Sequence, residues 1–170
     1  ATFVARSADV LAKHLPGVLK AAAAHKGSAF VEIMQNCNIF NDGAWDHLVE
    51  KDVRDDHLID LQPGKPVRFG KNLHLGVRLR GLELETFEIT PANEADCIVW
   101  DPTVANPAIA FMISHFVESQ QPTPIGVFRD VKCESFDEQV HAQIASARAK
   151  KGEGDLAKLL NSGDVWDVTD

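Results

Sequence analysis

Residues Ser28 to Trp45, SAFVEIMQNCNIFNDGAW, limit the fold more than any other stretch, because a short apolar run in them stops abruptly at a polar turn. Ala29 to Met34 sets Phe30, Val31, Ile33 and Met34 against a single charge, Glu32, which predicts a buried strand and is too short for a helix. Gln35, Asn36, Cys37 and Asn38 follow, then Ile39 and Phe40, then Asn41-Asp42-Gly43. The last three are a turn signal, since Asn and Gly tolerate positive φ and Asp bonds its own backbone. Cys37 is thereby placed at the C-terminal end of a strand, where open α/β sheets gather ligands.

The residues on either side supply the rest of a parallel unit. Thr2 to Arg6 reads as a strand, Ser7 and Asp9 offer N-capping chemistry for a first helical turn, and Pro16 restarts a helix whose apolar face is Val18, Leu19, Ala22 and Ala23. Lys26-Gly27 end that helix. Strand, helix and strand in this span predict a right-handed parallel crossover.

Past the turn, Trp45 to Lys51 reads as a short amphipathic helix and Asp52 to His57 as a charged, exposed connection. The period then changes: Leu58–Leu61, Val67–Phe69, Gly76–Leu79 and Leu82–Ile89 alternate apolar with polar residues, predicting two or three antiparallel strands laid against the α/β core. Cys97 to Trp100 reads as a further strand, and Pro107 starts a helix with Ile109, Ala110, Ile113, Phe116 and Val117 facing inward. Gln121 to Pro124 reads as a linker, Ile125 to Phe128 as a strand and Phe136 to Lys151 as a helix, and the tail carries one amphipathic turn at Leu156, Leu159 and Leu160.

A formal charge of −8 argues against nucleic acid or an anionic membrane as partner. No apolar run approaches the roughly 18 residues that span a bilayer. Three irregularly spaced cysteines give no disulfide framework, which favours a reducing cytoplasm. The start at Ala1-Thr2-Phe3, without Met and inside an expected strand, suggests a processed protein or a fragment.

Few side chains offer chemistry. Cys37 is either an exposed metal ligand or nucleophile, or a small buried residue; Cys97, within Asp96-Cys97-Ile98-Val99-Trp100, reads as core, and Cys133 has no partner at ligand spacing. An iron-sulfur cluster takes about four thiolates. The cysteines lie 60 and 36 residues apart, so the chain donates at most one ligand to such a cluster. His47 and His57 flank Glu50, Asp52, Asp55 and Asp56, a run that reads as a solvated loop and less well as a cation site. His25 is accounted for by the helix dipole, Gly152-Glu153-Gly154 by a helix cap and turn, and Ser7, Ser28, Ser114 and Ser146 sit in no nucleophile-elbow context.

The stretch Val31 to Ala44, VEIMQNCNIFNDGA, resembles the signature loop of the β subunit of 2-oxoacid:ferredoxin oxidoreductases. Thr2 to Arg6 resembles the same family, as do Gly64-Lys65-Pro66 with Gly76 to Leu79, and the tail GEGDL at 152–156 with Leu159-Leu160 and Gly163-Asp164-Val165-Trp166. The tail is similar to the 2-oxoglutarate branch. The resemblance implies an α/β fold, the C-terminal part of a thiamine diphosphate-binding doubly wound domain, with a small antiparallel β region and C-terminal helices. Residues 1–57 would finish that domain and carry the Cys37 loop, and residues 58–170 would form an extension.

By the same resemblance the cofactors are thiamine diphosphate, Mg²⁺ and a 4Fe-4S cluster. The reaction is oxidative decarboxylation of a 2-oxoacid with CoA, with electrons passed to ferredoxin. Cys37 would be one cluster ligand, and Asn41 and Asp42 would shape its loop. The family's other cysteines and its Gly-Asp-Gly-Asp and Asn motifs are absent from this sequence. The chain would therefore need the N-terminal half of the β subunit and an α subunit, and be inactive alone. Such a half domain is expected to leave the Phe30 to Met34 strand uncovered and to self-associate. Two other readings remain: a stand-alone assembly or binding module without cofactor, and a Cys37 thiol enzyme using a histidine base.

Overall fold

A computed structural model of the chain describes residues 1–116 and 122–169. They form two compact units, Ala1–Cys133 and Glu134–Asp170.

The first unit is built on the expected crossover. Strand β1 (Phe3–Ala8) pairs in parallel with β2 (Ala29–Met34), from Phe3 opposite Ala29 to Ala8 opposite Met34, and helix α1 (Leu15–Ala24) connects them. Pro16 stands in the first turn of α1, where its missing N–H costs nothing. Ser7 does not cap this helix. It lies inside β1, fully buried, because that strand runs on to match the whole of β2.

Short helices α2 (Asp46–Val49) and α3 (Arg54–His57) lead to β3 (Leu58–Leu61), so the connection expected at 52–57 contains a helical turn. Strand β3 is not part of an antiparallel meander; it runs parallel to a strand at Thr123–Asp130 and completes a sheet of order β2, β1, Thr123–Asp130, β3. Residues on both sides of position 57 therefore share one sheet within the first unit.

Strands β4 (Arg68–Phe69), β5 (Leu75–Arg80) and β6 (Glu83–Glu88) form the separate antiparallel sheet that the alternation predicts, its hairpin turning at Gly81 with φ +63°. Cys97 to Trp100 is not a regular strand. It is extended and bonded on both sides, Val67 N–H to the Ile98 carbonyl at 2.8 Å and Ile98 N–H to the Val77 carbonyl at 2.9 Å. An isolated bridge sets Val99 opposite Pro66, with the Trp100 N–H donating to the Lys65 carbonyl at 2.9 Å.

Helix α4 (Ala108–Ser114) follows Pro107 and buries Ile113, with Phe116 buried beyond it; Val117, expected on the same face, lies outside the described residues. Strand β7 (Thr123–Asp130) is longer than predicted and absorbs Thr123 and Pro124 from the expected linker, while Gln121 lies outside the described residues. Pro124 fits because the β1 ladder stops at Gly126, leaving Pro124 flanked by β3 alone. Ile59, Leu61, Val77, Trp100, Ile113 and Phe128 are the centre of the main core. The Trp100 indole N–H donates to the Val127 carbonyl at 2.8 Å, which lets so large a ring sit 2% exposed.

The second unit holds α5 (Phe136–Lys151) and α6 (Leu156–Leu160). A capping box opens α5, with Ser135 Oγ accepting the Glu138 N–H at 3.2 Å and the Glu138 carboxylate accepting the Ser135 N–H at 2.8 Å. Gly152, φ +79°, closes it. No described residue of this unit is buried, Leu156, Leu159 and Leu160 included. Among the described residues no helix is long and apolar enough to cross a membrane.

Candidate functional site

Strand β2 stops at Met34, and Cys37 follows three residues later at the start of a closed loop. The loop is shut by polar side chains, as the Asn/Asp/Gly composition suggests. Asn41 N–H donates to the Cys37 carbonyl at 2.9 Å, and these two residues form an isolated antiparallel bridge. Asn36 reaches over them: its Nδ2 donates to Asp42 Oδ1 at 2.9 Å and its Oδ1 accepts the Gly43 N–H at 2.9 Å. Gly43 takes φ +72°, and a Cβ there would stand 3.1 Å from Asp46 Oδ2.

The N–H groups of Phe40 and Ile39 hold the Cys37 thiol below its ordinary range against desolvation, which raises it, with the smallest contribution from Asn41. Ile39 and Phe40 themselves are 80% and 90% exposed, so their side chains do not anchor the loop within this chain.

The other sequence candidates do not join Cys37. Cys97 is buried, with burial pushing its thiol up, and Cys133 is exposed. Among the described residues no three His, Cys, Asp or Glu side chains are grouped closely enough to hold a metal ion, the His47 to His57 segment included. There the Asp56 carboxylate accepts the Lys71 N–H at 3.3 Å, beside the Asp55 backbone carbonyl, which accepts the Gly70 N–H at 2.6 Å. A single cysteine, Cys37, offers at most one ligand position on an iron-sulfur cluster. The described residues do not fit thiamine diphosphate with Mg²⁺, for which they gather no carboxylate group.

Sequence reasoning missed the bracing role of Asn36, whose type is common in loops and whose two partners only the loop closure reveals. It also left His25, the residue that ends α1, without side-chain partners. The His25 ring is buried, with Nε2 2.8 Å from Thr2 Oγ1 and Nδ1 2.8 Å from Asp130 Oδ1. No signal near His25 names a partner 105 positions away.

No family model matches the chain. It is, however, 37% identical over 171 residues to the 2-oxoglutarate oxidoreductase subunit KorB of Mycobacterium tuberculosis, an alignment covering 99% of this chain and 46% of the relative. This chain is homologous to 2-oxoacid oxidoreductase β subunits. Members from two archaea agree: the β subunit of 2-oxoacid:ferredoxin oxidoreductase 1 of Aeropyrum pernix is 49% identical over 41 residues, 24% of this chain and 13% of the relative. The 2-oxoacid:ferredoxin oxidoreductase β subunit of Saccharolobus solfataricus is 27% identical over 118 residues, 59% of this chain and 39% of the relative. The chain thus spans about half the length of the mycobacterial family member and less of the others.

Proposed function

We propose that the chain is the C-terminal part of the β subunit of a 2-oxoacid:ferredoxin oxidoreductase of the 2-oxoglutarate type, with Cys37 one ligand of its 4Fe-4S cluster. What supports this reading is a cysteine just past the end of a sheet strand whose thiol the backbone amides of Phe40 and Ile39 hold below its ordinary range, in a chain 37% identical to a 2-oxoglutarate oxidoreductase subunit. It acts in the cytoplasm with the half of the subunit that holds the remaining cysteines and the thiamine diphosphate and Mg²⁺ motifs, and with an α subunit. The substrates are a 2-oxoacid and CoA, and ferredoxin takes the electrons.

When bound, the cluster supplies one-electron transfer. Cys37 would supply one of its ligands, and the Ile39 and Phe40 N–H groups would offset negative charge on that sulfur. The Asn36, Asn41 and Asp42 bonds keep those donors in place. The deciding experiment is Cys37→Ser in the whole enzyme. Altered cluster loading and loss of 2-oxoacid-dependent ferredoxin reduction are expected; a fully loaded, active variant would sink the assignment.

A further inference from the structure

We infer that the apolar groove between α4 and the open face of β1 and β2 seats an amphipathic helix from the preceding half of the β subunit, with an acidic side chain of that helix meeting Arg129. This rests on the reading of the chain as the C-terminal part of that subunit. The two faces of the β1–β2 pair differ. Phe3, Ala5 and Val31 lie under α1. Their neighbours Val4, Phe30 and Glu32 line the groove on the other face, where α4 packs over β7 and leaves Phe30 58% and Phe111 65% exposed. A strand covered on one face only alternates apolar with polar residues. In Phe30 to Met34, however, Phe30 and Met34 point one way and Val31 and Ile33 the other, the pattern of a parallel strand covered on both faces. Its one charge, Glu32, is answered by Arg6 Nε at 2.6 Å.

Dimensions and charge select the occupant. Two strands span about 10 Å, the width of one helix, and a helix beside α4 completes the layer that parallel sheets carry on each face. The groove, about 250 Å³ beside Phe30, Phe111 and Phe128, takes the side chains of one apolar ridge. Arg6 is spent on Glu32 and lies over the Phe128 ring at 5.4 Å. Arg129, at the same groove, gives one N–H to the Ala105 carbonyl at 3.1 Å and has no carboxylate within ion-pair reach among the described residues. A partner that brings a carboxylate beside its apolar ridge answers both features. The mycobacterial relative has chain enough to supply it, since the alignment covers 46% of its length.

The test uses the whole enzyme with its partner subunit. A photoreactive benzoylphenylalanine replaces Phe111, and peptide mapping after illumination identifies what it joins. The expected cross-link is to the preceding half of the same β polypeptide, at a segment with apolar residues three and four apart and Asp or Glu within one turn. Should that variant fail to assemble, the same probe at Phe30, across the groove, decides. Arg129→Gln is expected to speed amide exchange in the cross-linked segment about fivefold, and Arg129→Lys, which keeps the charge, to speed it less. A cross-link to the α subunit or to a second β copy, or none at all, overturns the inference. An unchanged exchange rate in Arg129→Gln, or equal rates in the two variants, does the same. Any of these in an enzyme that reduces ferredoxin on a 2-oxoacid leaves the functional reading intact, whereas wild-type enzyme without that activity removes the reading and the inference with it.

Discussion

His25 Nδ1 lies 2.8 Å from Asp130 Oδ1 and so fastens the end of α1 to the end of β7. The ring is 3% exposed, its Nε2 meets Thr2 Oγ1, and its face tilts against Phe3 at 5.6 Å. Replacing it by alanine removes buried ring contacts and two hydrogen bonds. His25→Ala is expected to cost roughly 2–4 kcal/mol, seen as a lower urea midpoint at unchanged slope. An unchanged midpoint would show that the three-residue link contributes nothing to stability.

Gly126 sits between β1 and β3 with φ +106°, and a Cβ there would meet the Leu61 carbonyl oxygen at 2.9 Å. Backbone in a central strand has little room to shift. Gly126→Ala is expected to destabilise the chain by at least about 2 kcal/mol or to abolish soluble folding, whereas Gly154→Ala, with nothing within 4 Å, leaves the thermal midpoint nearly unchanged. Equal melting of the two variants would rule out the close approach.

Burial pushes the Asp60 carboxyl up, but hydrogen bonds from His14 and Gln62 and the His14 charge outweigh it, so its pKa lies below the usual carboxylate range. A carboxyl that binds its proton more weakly when folded adds stability above its unfolded pKa of about 4, and that stability is lost as pH falls through the folded value. Asp60→Asn is therefore expected to be the less stable protein near neutrality by about 1 kcal/mol, with the gap closing in acid. Parallel urea curves across pH would contradict this if the gap stayed constant.

The amides of Phe40 and Ile39 favour the Cys37 thiolate. In the chain without a cluster, alkylation by iodoacetamide is expected to reach half its limiting rate below the pH of about 8.5 typical of a free thiol. Buried Cys97, its thiol pushed up by desolvation, is expected to react last. Peptide mapping of the labelled chain against pH checks both, and a Cys37 profile at or above the free-thiol value would refute the first.

Strand β2 is an edge of its sheet, with Phe30 58% and Ile33 41% exposed, where the sequence predicts a buried strand. Phe30 also opens onto an apolar groove of about 250 Å³ beside Phe111 and Phe128. An uncovered apolar edge favours association. The isolated chain is expected to self-associate in sedimentation velocity, and Ile33→Lys to raise the monomer fraction; a wild-type monomer at high concentration would count against it.

By itself the sequence determined what local physics can enforce. Ser135, Glu138 and Gly152 bound α5 at Phe136–Lys151 through contacts within one turn of each end. Pro16 and the two flanking apolar runs fixed the β1, α1, β2 crossover, and the polar run after Met34 marked the Cys37 loop. Tertiary structure alone decided what depends on distant partners. The four residues of β3 carry no trace of pairing parallel to β7, some 65 positions later, and Cys97 to Trp100 is held extended by bonds to Val67 and Val77 that lie far from it in sequence. The role of His25 follows from Thr2 and Asp130 arriving from other strands. The Cys37 thiolate was legible as a residue at a strand end. The loop around it is closed by Asn36 bonds to Asp42 and Gly43 that only the folded chain reveals, since a hydrogen bond is set by where the backbone is held.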